Sequence, residues 1–482
     1  MLSAIQIATA IREGKTTAVE QLETHFARVD ALNPQVNAVI WQDRDGAMAE
    51  ARACDAETAR GESRGPLHGV PITVKESFDL AGSPTTWGMP ELKDNIRAED
   101  SDAVARYRAA GGIIYGKTNV PLKLMEWQSF NEIYGSTSNP WDLTRTSGGS
   151  SGGSGVSVAT GMAALEVGSD IGSSIRNPAH YNGVFGLKPT WNAVSTKGHT
   201  LEGWYGDIDI AVAGPLARTA EDLALAFEVL AGPNPFDASE WALNLPSDGR
   251  KKLSEFKVAL KLGDPSAPVD QAYLDALLDF ANKLEKAGAT VIRDRLPQVE
   301  SEAHFMLYLK LLGAALSLGM TDEDAAAAVV PFADAPNDVK RIGGTRMSGT
   351  QISHREWLTL DNQRRTARLA FDAFFEDVDV IIAPVASSAA FKKDEAGHRA
   401  FRRFPVNNVQ QLENTQLFWS GYSGVVGIPS IVGPMAQVGG LPVGYQAICG
   451  HGQDYTCLAF ARAVEREIVA YTPPAICLGM NG

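Results

Sequence analysis

The chain has 482 residues, 44% of them apolar and 21% charged, a globular composition that excludes a disordered, collagen-like or disulfide-stapled protein. Its 57 acidic residues outnumber 43 Lys and Arg for a formal charge of −14. That charge repels phosphate backbones and anionic bilayers, so no nucleic acid and no membrane is expected as a partner.

Residues 3–61 read as helical, with Thr17 as the N-cap of a helix over 18–32 that Asn33-Pro34 stops. The texture changes at Val70, where GVPITVKESFD holds a short β-branched run ending at Lys75. A helix then starts at Ser101 and closes at Gly111-Gly112, and 113–115 reads as a strand. Residues 163–168 form a third apolar run, and Thr219 with Asp222 resembles a capping box opening a helix to Leu230. The same rhythm continues as strand 256–262, helix 269–287, strand 290–292, helix 354–375, strands 378–385 and 440–449, and helix 455–467. Between 297 and 350 the periodicity is poorest, and AAAAVV, Pro331 and Gly343-Gly344 predict irregular surface connections, a common seat of substrate choice. Alternating strands and helices without repeats or long linkers predict a single compact α/β domain, its mixed central sheet covered by helices on both faces.

Cys54, Cys449, Cys457 and Cys477 are too few for a disulfide framework and lack the short paired spacings of a zinc site. The eight histidines are scattered singly, so no metal is expected. No basic, apolar leader opens the chain and no apolar run approaches the ~20 residues of a membrane span, which predicts a reducing, cytoplasmic setting.

Three strings carry candidate chemistry. Residues 111–118, GGIIYGKT, satisfy the phosphate-loop pattern, but a helix precedes them and Ile-Ile-Tyr is strand-like, the reverse of a phosphate loop's context. Gly111 and Gly112 are better read as a helix C-cap and turn. Residues 148–152, GGSSG, match a nucleophile elbow with Ser150 as nucleophile and Asp379 and His451 following in the right order. Against this, SGGSSGGSG holds more glycine than an elbow needs, and no HGGG-type oxyanion loop is present. A flexible linker is a further reading of the string, but Asn139-Pro140-Trp141 before it and Val156, Val158, Ala159, Met162 and Ala163 after it embed it in packed structure. The third string is GSDIGSSIRNPA at 168–179.

Taken with GVPITVKES at 69–77 and SGGSSGG at 147–153, this third string resembles the amidase signature family of serine hydrolases. GKTNVP at 116–121, GVFGLKPT at 183–190, GPLARTAEDLAL at 214–225, GIPSIVGP and GLPVGYQ are similar to that family too. The resemblance covers most of the chain and thins between about 235 and 375. It implies a helical cap at 1–61, a signature core at 62–235, a variable substrate-side region at 236–375 and the rest of the sheet at 376–482. It also implies a Ser-cisSer-Lys triad, with Lys75 as base, Ser150 as the serine on a cis peptide and Ser174 as nucleophile. Backbone N–H groups of Ile171, Gly172, Ser173 and Ser174 would form the oxyanion hole, and Asp170 with Arg176 would brace the loop.

The implied activity is amide hydrolysis through an acyl-enzyme, without cofactor or metal, by a monomer or homodimer acting on a small amide and water. Aryl amides, esters and carbamates are close variants. The alternatives are the glutaminase component of a multi-protein tRNA amidotransferase and an α/β-hydrolase-type esterase using Ser150; a non-catalytic binding protein is disfavoured because all three triad positions are filled. Physical chemistry sets one condition: a serine hydroxyl needs a base, and an ammonium near pKa 10.4 must fall by roughly three units, ~4 kcal/mol, to be one near neutrality. Burial at the end of an interior strand would do this. The chain departs from the family at Gly172-Ser173, where two glycines are common: a φ > 0 there would strain Ser173, or its hydroxyl would line the acyl pocket. Trp127, Phe130, Tyr134, Trp204, Tyr205, Phe418 and Trp419 are candidates to line a pocket for aryl groups.

Overall fold

The computed structural model describes residues 1–201 and 203–479. Local signals start its helices where the sequence places them. Thr17 caps Ala18–Val36, its hydroxyl accepting the Glu20 N–H while the Glu20 carboxylate accepts that of Thr17. This helix does not stop at Asn33-Pro34. It runs on to Val36, because Asn33 Oδ1 accepts the N–H groups of Ala38 and Val39 and Asn37 closes the last turn at φ 49°. A strand, Val39–Gln42, follows, so residues 3–61 are not helical throughout.

Thr219 caps Ala220–Leu230 as expected, but Asp222 does not complete a capping box there. Its carboxylate instead accepts the N–H groups of Ala4 and Ile5, each at 2.9 Å, at the start of the first helix, Ala4–Arg12. Those two donors have no partner within their own helix.

The largest departure lies at 297–350. Ser301–Ala315 and Asp322–Val329 are helices, and short helical turns fill much of 337–351. Phe305, Tyr308, Leu309 and Leu312 are all buried, so Ser301–Ala315 has apolar contacts on most sides and its sequence loses the amphipathic period. Glycines let this helix meet the next segment backbone to backbone: a Cβ on Gly313 would sit 1.8 Å from the Arg346 carbonyl oxygen, and one on Gly349 2.1 Å from that of Lys310.

The core is built on an eleven-stranded mixed sheet. Val39–Gln42 lies at one edge, antiparallel to Ile113–Thr118, which runs parallel to Pro71–Lys75. Next come Leu165–Asp170, parallel to Pro71–Lys75, then Val212–Ala217 and Phe185–Lys188. Ser430–Val438, Leu441–Ile448, Val380–Ala383, Lys257–Leu260 and Thr290–Ile292 complete the order. Ser430–Val438 is a strand absent from the expected set; Gly439 and Gly440, at φ 59° and 82°, turn it tightly into Leu441–Ile448.

Pro71–Lys75 and Leu165–Asp170 are adjacent, parallel and end on the same side of the sheet. Ligands of open α/β sheets gather outside such carboxyl ends. Lys75 and Asp170 are the last residues of these strands. The four cysteines are buried and unbridged, and among the described residues no helix is long and apolar enough to cross a membrane.

Candidate active site

Lys75 has no solvent exposure. Its Nζ lies 2.7 Å from Ser150 Oγ and 2.8 Å from Ser169 Oγ, two hydroxyls and no carboxylate. Burial pulls its ammonium down to about 7, against the opposing pull of Asp170, Glu166 and Glu76. Glu166 compensates little at neutral pH, since burial pushes its carboxyl up to about 8.

Ser150 is carried on a cis Gly149–Ser150 peptide in a wholly buried glycine loop that leads into the helix Gly152–Thr160. The glycines serve close approach: a Cβ on Gly149 would lie 2.4 Å from the Glu126 carbonyl oxygen, and one on Gly153 2.3 Å from the Asn119 nitrogen. Ser151 N–H donates to the Ser174 carbonyl at 3.2 Å and joins this loop to the one at 170–175.

The second loop is pinned peptide by peptide. Tyr308 Oη donates to the Ile171 carbonyl at 2.9 Å, Trp127 Nε1 to that of Gly172 at 2.8 Å, and Asn177 N–H to that of Ser173 at 2.7 Å. Asp170 accepts N–H groups of Ser173, Ile175 and Arg176 and takes the buried Arg176 guanidinium at 2.8 and 3.0 Å. In a trans peptide the N–H points opposite the C=O. Pinning the carbonyls of Ile171 and Ser173 therefore fixes the direction of the Gly172 and Ser174 N–H groups. Neither of these two, nor Ile171 N–H, has an intramolecular acceptor among the described residues.

Ser150, Ser169 and Ser174 open into one cavity of about 420 Å³, walled mostly by apolar side chains such as Trp87, Met89, Met125, Leu201, Ile208 and Leu316. His199 also borders it, stacked on Phe78 and kept neutral by burial, which pulls its pKa down to about 3. A buried lysine without a carboxylate partner, three serines and free amide donors at one cavity are an arrangement able to support serine-type hydrolysis.

The sequence of the chain matches the Amidase family over residues 20–458. The chain belongs to the amidase family. It is a hydrolase of C–N bonds. This amidase is 33% identical over 477 residues, 96% of its length and 86% of the relative's, to the indoleacetamide hydrolase of Bradyrhizobium diazoefficiens. It is 31% identical over 487 residues, 97% of each chain, to a glutamyl-tRNA(Gln) amidotransferase subunit from Carboxydothermus hydrogenoformans. A solved bacterial aryl acylamidase superposes with a TM-score of 0.82 over 99% of this chain and 98% of the other at 23% identity, a likeness of fold.

Several expectations need correction in the amidase. Ser173 N–H is taken by Asp170 Oδ1 at 2.9 Å and is not free to act as an oxyanion donor. Ser150 does not meet Asp379 and His451: Asp379 pairs with Arg250 at 2.7 Å, His451 is exposed, and neither borders the cavity. None of the seven candidate aromatics borders the large cavity. Trp127 pins the loop, Phe418 and Trp419 are core, and Trp204 and Tyr205 face a surface groove. Gly111 follows a helix, at φ 94°, as expected, and Lys117 is buried in a strand with Nζ 2.6 Å from the Pro84 carbonyl oxygen, which is not the strand-to-helix context of a phosphate loop.

Ser169, Trp87, Tyr308 and Arg346 were not foreseen. Ser169 lies within the recognised string at 168–179, but nothing in its spacing marks it as a lysine partner.

Ser173 itself sits at φ 76°, and its buried hydroxyl has no hydrogen-bond partner. Both features cost stability, so Ser173→Gly is expected to stabilise the amidase by about 1 kcal/mol. The denaturant midpoint of the purified variant checks this; a lower midpoint refutes it.

Proposed function

We propose that this amidase hydrolyses amides with a bulky apolar substituent through an ester formed on Ser174. Lys75 is the base and Ser150 the relay between them. The observation that carries the reading is Lys75 Nζ, buried, drawn down to about 7 and 2.7 Å from Ser150 Oγ, beside the cavity that also exposes Ser174. A neutral Nζ has a lone pair that accepts the Ser150 proton while one N–H donates to Ser169.

As Ser174 Oγ bonds to the carbonyl carbon, its proton passes to Ser150 and that of Ser150 to Lys75. N–H groups of Ile171, Gly172 and Ser174 receive the oxyanion, each such donor being worth about 3 kcal/mol. Collapse breaks the C–N bond, and the amine leaves with a proton returned from Lys75 through Ser150. Water then cleaves the ester by the same relay, regenerating the Ser174 hydroxyl.

The apolar wall of the cavity favours aryl or long aliphatic groups, and kinship with an indoleacetamide hydrolase agrees with this. Residues 315–320 contribute to that wall, in line with a substrate-side role for 236–375. Asp170 and Arg176 act as the brace of the amide loop. The test is turnover by the purified chain alone on arylacetamides, anilides, short aliphatic amides, glutamine, and matched esters and carbamates. Apolar amides are expected to be hydrolysed with kcat/KM well above that for glutamine; activity confined to glutamine and dependent on added partner proteins would overturn the proposal.

A further inference from the structure

A second, much smaller cavity of about 20 Å³ also reaches Ser174, on the side of Gly172 and Trp127. It is bordered by two guanidinium residues, Arg346 and Arg399. By volume it holds about one carboxylate or one water.

Arg346 is 5% exposed, its guanidinium makes no hydrogen bond or ion pair among the described residues, and its Nε is shut off from solvent with nothing bonded to it. Its neighbours do not neutralise it. Arg399 is paired with Glu413 at 3.1 Å, and Arg402 with Glu126 at 2.7 Å. Three guanidinium groups thus face two carboxylates, and burial pushes the Glu413 carboxyl upward, toward its neutral form. Arg346 stays charged at neutral pH, with its pKa pulled down by burial only to about 10. A buried cation without a partner is costly, and such groups are otherwise nearly always paired.

Its position is well defined. The Thr345–Ser348 turn carrying it crosses Ser301–Ala315 at the Gly313 contact, and Tyr308 of that same helix holds the Ile171 carbonyl. One scaffold therefore fixes both the cation and the amide loop beside Ser174.

We propose that Arg346 binds an anionic group of the substrate, a carboxylate a few bonds from the scissile carbonyl. The substrate class is then an apolar amide that carries a carboxylate, its bulk in the large cavity and its charge in the small one. This rests on Ser174 as the reacting centre.

Two pairs of probes separate the possible connectivities. N-aryl succinamic acid and its terminal carboxamide place the charge on the acyl side; N-arylacetyl glycine and its carboxamide place it on the amine side. Binding is measured by calorimetry to Ser174→Ala and to the same chain carrying Arg346→Met. One carboxylate probe is expected to bind Ser174→Ala about 10- to 100-fold more tightly than its carboxamide, the range for a charge-assisted contact. Arg346→Met should erase that preference while changing carboxamide binding less than about threefold, and should not lower the denaturant midpoint, because no bonded partner is orphaned.

Absence of a preference in both pairs, absence of binding by all four probes, or equal losses for both members of a pair in Arg346→Met would overturn the proposal. The preference of Ser174→Ala is read without the second substitution, so poor folding of the double variant leaves the test intact. Turnover of any probe by Ser174→Ala would instead defeat the reading of Ser174, a separate result.

Discussion

Ser174→Ala is expected to lower kcat on every amide substrate by ~10³-fold or more, with the fold and denaturant midpoint unchanged. On the proposed mechanism the size follows from the loss of the atom that forms the covalent bond, leaving only binding and the oxyanion donors to assist water. The lack of structural effect follows from the Ser174 hydroxyl itself, which opens into the cavity and holds no hydrogen bond among the described residues. His451→Ala is the matched control: under an elbow mechanism it would be as damaging, whereas its exposure and its absence from the cavity lining predict full activity. Steady-state rates on one good amide, with trapping of the acyl group by hydroxylamine in the intact enzyme, decide the matter.

Lys75→Met is expected to abolish turnover to a similar degree and, at the same time, to make the protein more stable. In the intact enzyme kcat/KM should rise with pH along a limb centred near 7, as the Lys75 ammonium gives up its proton and becomes a base. The stability effect has a definite sign. The folded pKa of about 7 lies below the unfolded ~10.4, so between these values the unfolded chain binds a proton that the folded chain does not, and stability rises with pH across that window. Below pH ~7 both states are protonated and the whole cost of a buried ammonium, of the order of a few kcal/mol, is present. Lys75→Met should therefore gain most at about pH 6 and least near pH 10, as read from denaturant midpoints. A midpoint gap that widens toward high pH, or an activity limb far from neutrality, would refute this placement of Lys75.

The sequence made some of this legible and hid the rest for identifiable reasons. His354–Phe375 and Pro71–Lys75 were expected at nearly their true bounds, because caps, glycines and β-branched runs act over a few residues. Ser301–Ala315 was hidden because a helix packed on most sides has no polar face to set a period. In the site, the resemblance of the recognised strings to the amidase signature family pointed to Lys75, Ser150 and Ser174; the fold sets Lys75 Nζ beside Ser150 Oγ and opens Ser150 and Ser174 into one cavity. The Ser173 amide was misassigned because a hydrogen bond's direction depends on a neighbouring peptide's orientation, which residue types do not encode. Arg346 could not be singled out at all: a lone arginine in TRMS is ordinary, and only its burial without a partner in three dimensions distinguishes it.

Tyr308 ties the helix that walls the substrate space to the carbonyl of Ile171. On the proposed mechanism recognition and rate enhancement share a strut, and a lineage exploring new substrates by altering this helix perturbs its own catalytic power with each step. Divergence toward a new diet should then proceed by paired changes, one admitting the newcomer and one restoring the brace, and not by drift of the wall alone.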